Sequence, residues 1–284
     1  MRITDTSDIL LSSFDDGTFD TVKWEAYIDK AVPGARELCE MDKEECIDAG
    51  FSWEKDFLPV LNAVFTDEEG RNKAIKSFHL VTDRLNERII EKFGRTLDTN
   101  LVLYLGLCNG AGWVTRLNNE STVLLGIEKI IELKWYDVDS MNGLIIHELG
   151  HVYQDQYGVL HRQFESLQDQ FLWQLFTEGI AMVFEQEVVG DRGYFHQYDK
   201  NWKDWCHEHL NLIKASFYND LPTMTNENQQ YFGDWVNFEG RGDTGYYLGT
   251  DFVRFVLETN SFDSAINFDI NQVKSSFEGY MAAM

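Results

Sequence analysis

MNGLIIHELGHVYQDQYG, residues 141–158, carries two signals at once. Met141, Leu144, Ile145, Ile146, Leu149 and Val152 recur at helical intervals and predict a buried helix. Inside it stands His147-Glu148-Leu149-Gly150-His151, an H-E-x-x-H pattern. Residues four apart share one helix face, so both imidazoles can reach a single metal ion. Glu148 is rotated by about 100° and can approach a metal-bound water without being a ligand. Chance alone produces the pattern in roughly one chain in seventy of this composition, so its surroundings must carry the reading. They do: two histidines and a glutamate on an apolar helix are costly without partners, and a metal removes that cost. Gly150 sits mid-helix at a penalty of about 1 kcal/mol relative to Ala, which predicts close approach of another element.

A metal held for catalysis needs a third protein ligand and an open position. FLWQLFTEGIAMVFEQE, residues 171–187, supplies the candidate. Glu178 is flanked at helical spacing by Phe171, Leu175, Ala181 and Met182, and no cation occurs between Arg162 and Arg192. A carboxylate on such a face calls for a metal or a distant partner. Asp155, His161, Glu165 and His196 are the other donors considered. A later histidine three turns on is excluded, because Gln154 and Tyr157 stand where that pattern needs Gly and His. In Cys206-His207-Glu208-His209 the two histidines point about 200° apart on a helix, so a solvated face is expected there.

Outward from these helices, residues 20–95 read as helical. Thr66-Asp67-Glu68-Glu69 reads as a capping box, with Ala74, Phe78, Val81, Leu85, Ile89 and Phe93 behind it and Gly94 as a stop. Residues 101–108 and 121–130 read as strands, with a further short strand at 113–116. Helices follow over 140–157, 165–189, 200–218, 246–259 and 270–283, interrupted by a long polar stretch at 219–244. Helices, then strands, then helices predict an α+β fold with segregated layers. The expected division is a helical N-terminal region, 1–98, and a catalytic domain, 99–284.

The 48 acidic residues against 24 basic ones leave a net charge of −24, which excludes a nucleic-acid binder because phosphates would be repelled. With 44% hydrophobic and 14% aromatic residues the chain can build a core. No signal peptide and no membrane span is visible, so a cytoplasmic protein is expected. Cys39 and Cys46 lie seven apart in a helical segment, about 10 Å against the roughly 7 Å a disulfide tolerates. With no CxxC pair, all four cysteines read as reduced.

His147-Glu148-x-x-His151, followed by Thr177-Glu178-Gly179-Ile180-Ala181, resembles the gluzincin branch of zinc metallopeptidases. With Gly245-Tyr246-Tyr247-Leu248-Gly249 it is similar to the bacterial family of predicted zinc-dependent proteases. The resemblance covers roughly residues 100–260. It implies a mostly helical zincin-like fold with a small sheet before the active helix. It implies Zn2+ on His147, His151 and Glu178, and hydrolysis of a peptide or protein substrate with Glu148 as general base. Tyr246, with Tyr247 in reserve, is implied as donor to the oxyanion. Met182 stands where that branch has an acid orienting a zinc histidine, so Asp155 or a backbone carbonyl is the expected substitute. The substrate is expected along an edge strand, at residues 112–116 or 122–127. Loop 219–244, with Trp235, Phe238 and Arg241, is expected either as a lid or as an ordinary surface loop. An endopeptidase or oligopeptidase is favoured, since no Gly-Ala-Met-Glu-Asn-like segment is present. Two other classes stay open: an inactive zinc-binding module that recognises a partner, and a zinc hydrolase of an ester or other amide.

Overall fold

Two runs of apolar residues without polar alternation organise the first part of the chain. They form β4 (Asn100–Tyr104) and β6 (Glu120–Gly126), buried along nearly their whole length. Strands covered on both faces have this pattern. The computed structural model describes residues 1–196, 201–233 and 235–283, and its class is α+β with helices dominant.

The sheet order is β1-β4-β6-β5, with β1 as Arg2–Asp5 and β5 as Trp113–Leu117. β1, β4 and β6 are parallel, with Arg2 opposite Asn100 and Asn100 opposite Thr122. β5 runs antiparallel to β6, with Thr115 opposite Thr122. Asn118 and Asn119 join β5 to β6, both with positive φ (52° and 68°), the backbone of a type I′ hairpin. The sheet therefore mixes parallel and antiparallel pairs. A small ribbon, β2 (Phe14–Asp15) and β3 (Thr18–Phe19), lies apart from it.

Contacts group the chain into two compact units, Met1–Glu148 and Leu149–Met284. The N-terminal strand β1 is part of the sheet, paired with β4. Helix α1 (Ser7–Leu10) follows β1, and Asp20 caps α2 (Thr21–Ala31) by accepting from the Lys23 amide. Trp24 Nε1 donates to the Leu105 carbonyl and the Tyr27 hydroxyl accepts from the Leu105 amide, tying α2 to the end of β4. Next come α3 (Arg36–Asp48), a π-helical turn over Trp53–Phe57, and α4 (Leu58–Thr66).

The capping box expected at Thr66 does not form. Thr66 ends α4 and donates to the Asn62 carbonyl, while Asp67 caps α5 (Glu68–Thr82) by accepting from the Gly70 amide. The stripe ending at Phe93 is split as well. Arg84, at φ +58°, breaks it and starts α6 (Leu85–Phe93), which stops at Gly94 as expected. Residues 121–130 are strand only to Gly126, where the chain turns directly into α7 (Ile127–Glu132). All four cysteines are free thiols, Cys39 and Cys46 both on α3.

The division runs through α8 (Val138–Tyr157), one unbroken helix. In the second unit the centre is α9 (Leu167–Val189), capped by Ser166 and ended by Gly190 at φ +84°. It is buried on nearly every side from Phe171 to Gln186, as befits a helix without an amphipathic stripe. The expected helix at 200–218 is two, α10 (Trp202–Glu208) and α11 (Leu210–Asp220), broken at His209. Helices α12 (Thr244–Val256), α13 (Phe262–Ala265) and α14 (Ile270–Ala282) close the chain. Phe176, Phe252, Phe277 and Tyr280 interlock α9, α12 and α14. Among the described residues, no helix is long and apolar enough to cross a membrane.

Candidate metal centre

Gly150 explains how a second helix reaches the H-E-x-x-H face. A Cβ there would stand 2.8 Å from the Ala181 Cα and 3.2 Å from the Phe184 Cβ, so α8 and α9 meet almost backbone to backbone. Ala181 follows Glu178 by three residues, and the crossing carries that carboxylate to the histidines. His151 Nε2 and Glu178 Oε2 are 3.3 Å apart. His147, one turn back on α8, completes a group whose donor atoms all lie within 4.8 Å of one another.

The donor set fits a metal. Two ligands at about 2.0–2.1 Å from a tetrahedral ion are about 3.3 Å apart, the separation found between His151 and Glu178. Two imidazoles and a carboxylate supply three ligands and leave a fourth position for water or substrate. Burial suits such a site: His147 is buried, whereas His151 and Glu178 keep 13% and 15% of their side-chain surface.

Glu148 is also buried. A Cβ on Gly112 would meet its Cγ at 2.8 Å, its Oε1 at 2.9 Å and Leu144 Cδ1 at 2.9 Å. Any larger residue there would push on the Glu148 and Leu144 side chains, and Gly112 is the residue that leads into β5. Of the two expected edge segments, residues 112–116 belong to this edge strand. Residues 122–127 do not, since β6 is paired on both sides by β4 and β5 and has no edge to offer.

The approach to β5 is held by polar groups, of which Glu128 is fully buried. Glu128 accepts from the Gly106 and Cys108 amides, each at 3.1 Å, and burial pushes its carboxyl up to about 7. Asn109 donates to the Cys39 carbonyl and to Asp42 Oδ2 while accepting from the Leu107 amide. Trp113 Nε1 donates to the Tyr104 hydroxyl.

Gly179 and Gly249 bring α12 against α9 in the same manner. A Cβ on Gly179 would lie 2.2 Å from the Gly249 carbonyl oxygen. This seats Tyr246 and Tyr247 in the first turn of α12. Tyr247 belongs to an aromatic cluster, stacked on Phe195 at 5.2 Å and edge-on to Trp202, with its hydroxyl 3.2 Å from His207 Nδ1. Burial pushes its phenol up to about 12. Tyr246 stands edge-on to Phe232 at 5.8 Å.

The remaining donors fall in different places. Asp155 faces His161 Nε2 at 4.0 Å, and Glu165 is exposed. His209 stacks on Trp205 at 4.4 Å and Cys206 is buried, so the Cys-His-Glu-His segment serves packing as well as a solvated face. Among the described part of loop 219–244, Phe238 is buried against Tyr231, Arg241 lies over Trp205, and Trp235 is largely exposed. Gln229 and Asp243 bind its backbone amides, so Phe238 is a packing residue rather than a contact offered to solvent.

His196 is different. Its Nδ1 lies 2.9 Å from Glu185 Oε2, both side chains are essentially buried, and the two form a second close group with His147. Glu185 was not singled out from sequence, although the signal was present. It too is a carboxylate on an apolar helix, in the same cation-free interval as Glu178.

No protein-family model matches this chain, and neither a curated protein nor a solved structure does.

Proposed function

We propose that this protein is a zinc-dependent peptidase, with His147, His151 and Glu178 as metal ligands and Glu148 as general base. The observation that carries this is the 3.3 Å approach of His151 Nε2 to Glu178 Oε2, with His147 in the same close group. Zinc suits a set of two nitrogens and one carboxylate oxygen that leaves a position open. When bound, the ion supplies a Lewis acid that lowers the pKa of a water to about 7.

The chain's own groups supply the rest. Glu148 is within reach of the same face of α8 and takes the proton of the attacking water, then passes it to the leaving amine. Gly112 puts the start of the edge strand β5 against the Glu148 side chain. An extended peptide adding to that edge presents its backbone alongside the base, which favours a peptide over a small ester as substrate. Tyr246 is the phenol assigned to the oxyanion, as the resemblance implies, and it stands in the first turn of α12 beside Tyr247. A preorganised donor of that kind is worth roughly 3–4 kcal/mol in the transition state.

The test is metal analysis of the purified protein together with cleavage of a mixed peptide library, with and without chelator. One equivalent of zinc and chelator-sensitive cleavage are expected. Glu148→Gln should keep the zinc and lose at least about a hundredfold in kcat. Full activity in that variant removes Glu148 from the role. Zinc without cleavage of any peptide points to a binding module, and cleavage confined to esters points to a different hydrolase.

A further inference from the structure

The hairpin that ends β5 sets the register of its outer edge. Asn118 and Asn119 form a two-residue loop, so the flanking Leu117 and Glu120 are a hydrogen-bonded pair. Hydrogen-bonded and non-hydrogen-bonded pairs alternate along an antiparallel ladder, which makes Thr115–Thr122 and Trp113–Leu124 hydrogen-bonded as well. The Gly126 amide, donating to the Ala111 carbonyl at 3.1 Å, continues the same series beyond the strand. The backbone N–H and C=O groups of Gly112, Val114 and Arg116 therefore point away from β6, on the side where the sheet ends.

Side chains follow the same parity. A Cβ on Gly112 would point at Glu148 and Leu144 of α8, so by alternation Val114 and Arg116 stand on that face too. Val114 is partly buried and Arg116 is exposed. Arg116 and Glu120 are the only charged residues between Asp98 and Glu128. Glu120 lies opposite Leu117, hence on the other face, and is paired with Arg2 at 2.5 Å. The Glu148 face of this hairpin thus carries one charge, and it is positive in a chain of net charge −24.

We propose that Arg116 is a specificity-determining residue, selecting an acidic side chain on a peptide that adds to the edge of β5 as an antiparallel strand. The proposal rests on the peptidase reading and adds which peptides the edge takes. Antiparallel pairing is the more stable per residue. In that direction the peptide residue opposite Arg116 comes four before the one opposite Gly112, about 14 Å along the strand. Directly opposite residues share a face, so its side chain lies beside the guanidinium. The acid falls on the N-terminal side of the residue presented to Glu148. Five donors in a planar fork let Arg116 hold that carboxylate at two points while keeping a neighbour of its own.

Neutral extended peptides carrying a single Asp, or Lys at the same position, test this. Their binding to the zinc-free full chain is read by fluorescence anisotropy, and their cleavage by the zinc-loaded protein is mapped. The Asp peptide is expected to bind about fivefold to tenfold more tightly at low salt. Arg116→Glu should reverse that order, Arg116→Ala erase it and Arg116→Lys keep it. Val114→Pro removes an edge-facing N–H without touching the β6 ladder, so it should weaken both peptides alike. Cleavage should follow the Asp at a constant distance on its C-terminal side as the Asp is moved along the peptide. An acid preference unchanged in Arg116→Glu overturns the proposal, as does binding unchanged in Val114→Pro. Cleavage without acid preference overturns it and leaves the peptidase reading standing. Acid-selective binding that Arg116→Glu reverses, without cleavage, upholds the selectivity and removes the peptidase reading. Neither binding nor cleavage of any peptide overturns both.

Discussion

Replacing Gly179 by Ala sets two ordinary effects against each other where α9 meets α12. Alanine is the better helix former by about 1 kcal/mol, so at an open position the change stabilises. At Gly179 the new Cβ would stand 2.2 Å from the Gly249 carbonyl oxygen, 2.5 Å from its carbon and 2.7 Å from Val253 Cγ2. Ordinary contact begins near 3.4 Å, so α12 must retreat by about 1 Å, and two of the three obstructing atoms are backbone that cannot swing aside. Overpacking of this kind costs about 1–3 kcal/mol, and the upper part of that range applies to backbone obstruction. The net expectation is a loss of about 2 kcal/mol, or about 4–8 °C in Tm. Gly279→Ala is the matched control. It lies in α14 with its nearest neighbours, atoms of the Phe255 ring, at 3.9 Å, and it is exposed. It should gain about 0.5–1 kcal/mol. Urea unfolding of both metal-free variants measures the pair. If Gly179→Ala is as stable as wild type, or gains stability as Gly279→Ala does, the close helix contact does not exist as described.

Glu128 predicts a pH dependence. Burial raises its carboxyl from 4.5 to about 7, so between those values the folded state holds the proton more tightly than the unfolded chain. Stability from this group is full below pH 4.5 and falls by about 3 kcal/mol as pH rises through 7. Glu128→Gln should lose that slope, and should be less stable than wild type at low pH, because an amide NH2 then faces the Gly106 or Cys108 amide. Unfolding free energies of both proteins across pH 4.5 to 7 check this, and parallel curves contradict it. Gly112→Ala drives a methyl group into Glu148. It should lower kcat by at least tenfold with zinc content unchanged, measured on whichever peptide the library yields; loss of zinc instead would place the damage at the ligands.

The local features were legible because spacing sets which residues share a face. His147 and His151 are four apart on one helix, so their convergence needs no knowledge of the rest of the chain. The same holds for α9, for the stop at Gly94, and for Gly150 as a point of close approach, which Ala181 fulfils. Glu178 was legible as an acid on an apolar face, and that criterion applied with equal force to Glu185. Two of the errors were also local. Asp67 competed with Thr66 for the same cap, and Arg84 took a left-handed turn inside a continuous apolar stripe.

By itself, then, the sequence determined the α+β class, the principal helices and the placing of His147, Glu148 and His151 on one helix. Tertiary structure alone decided which strands are edges, where the chain divides, and which buried acid faces which histidine. Arg2 pairs with Asn100 and Glu185 meets His196 through contacts that no periodicity encodes. Periodicity records the free energy of one helix or strand turning its apolar side away from water. Pairing and polar satisfaction depend on what arrives on the other side, and that exists only once the chain has folded.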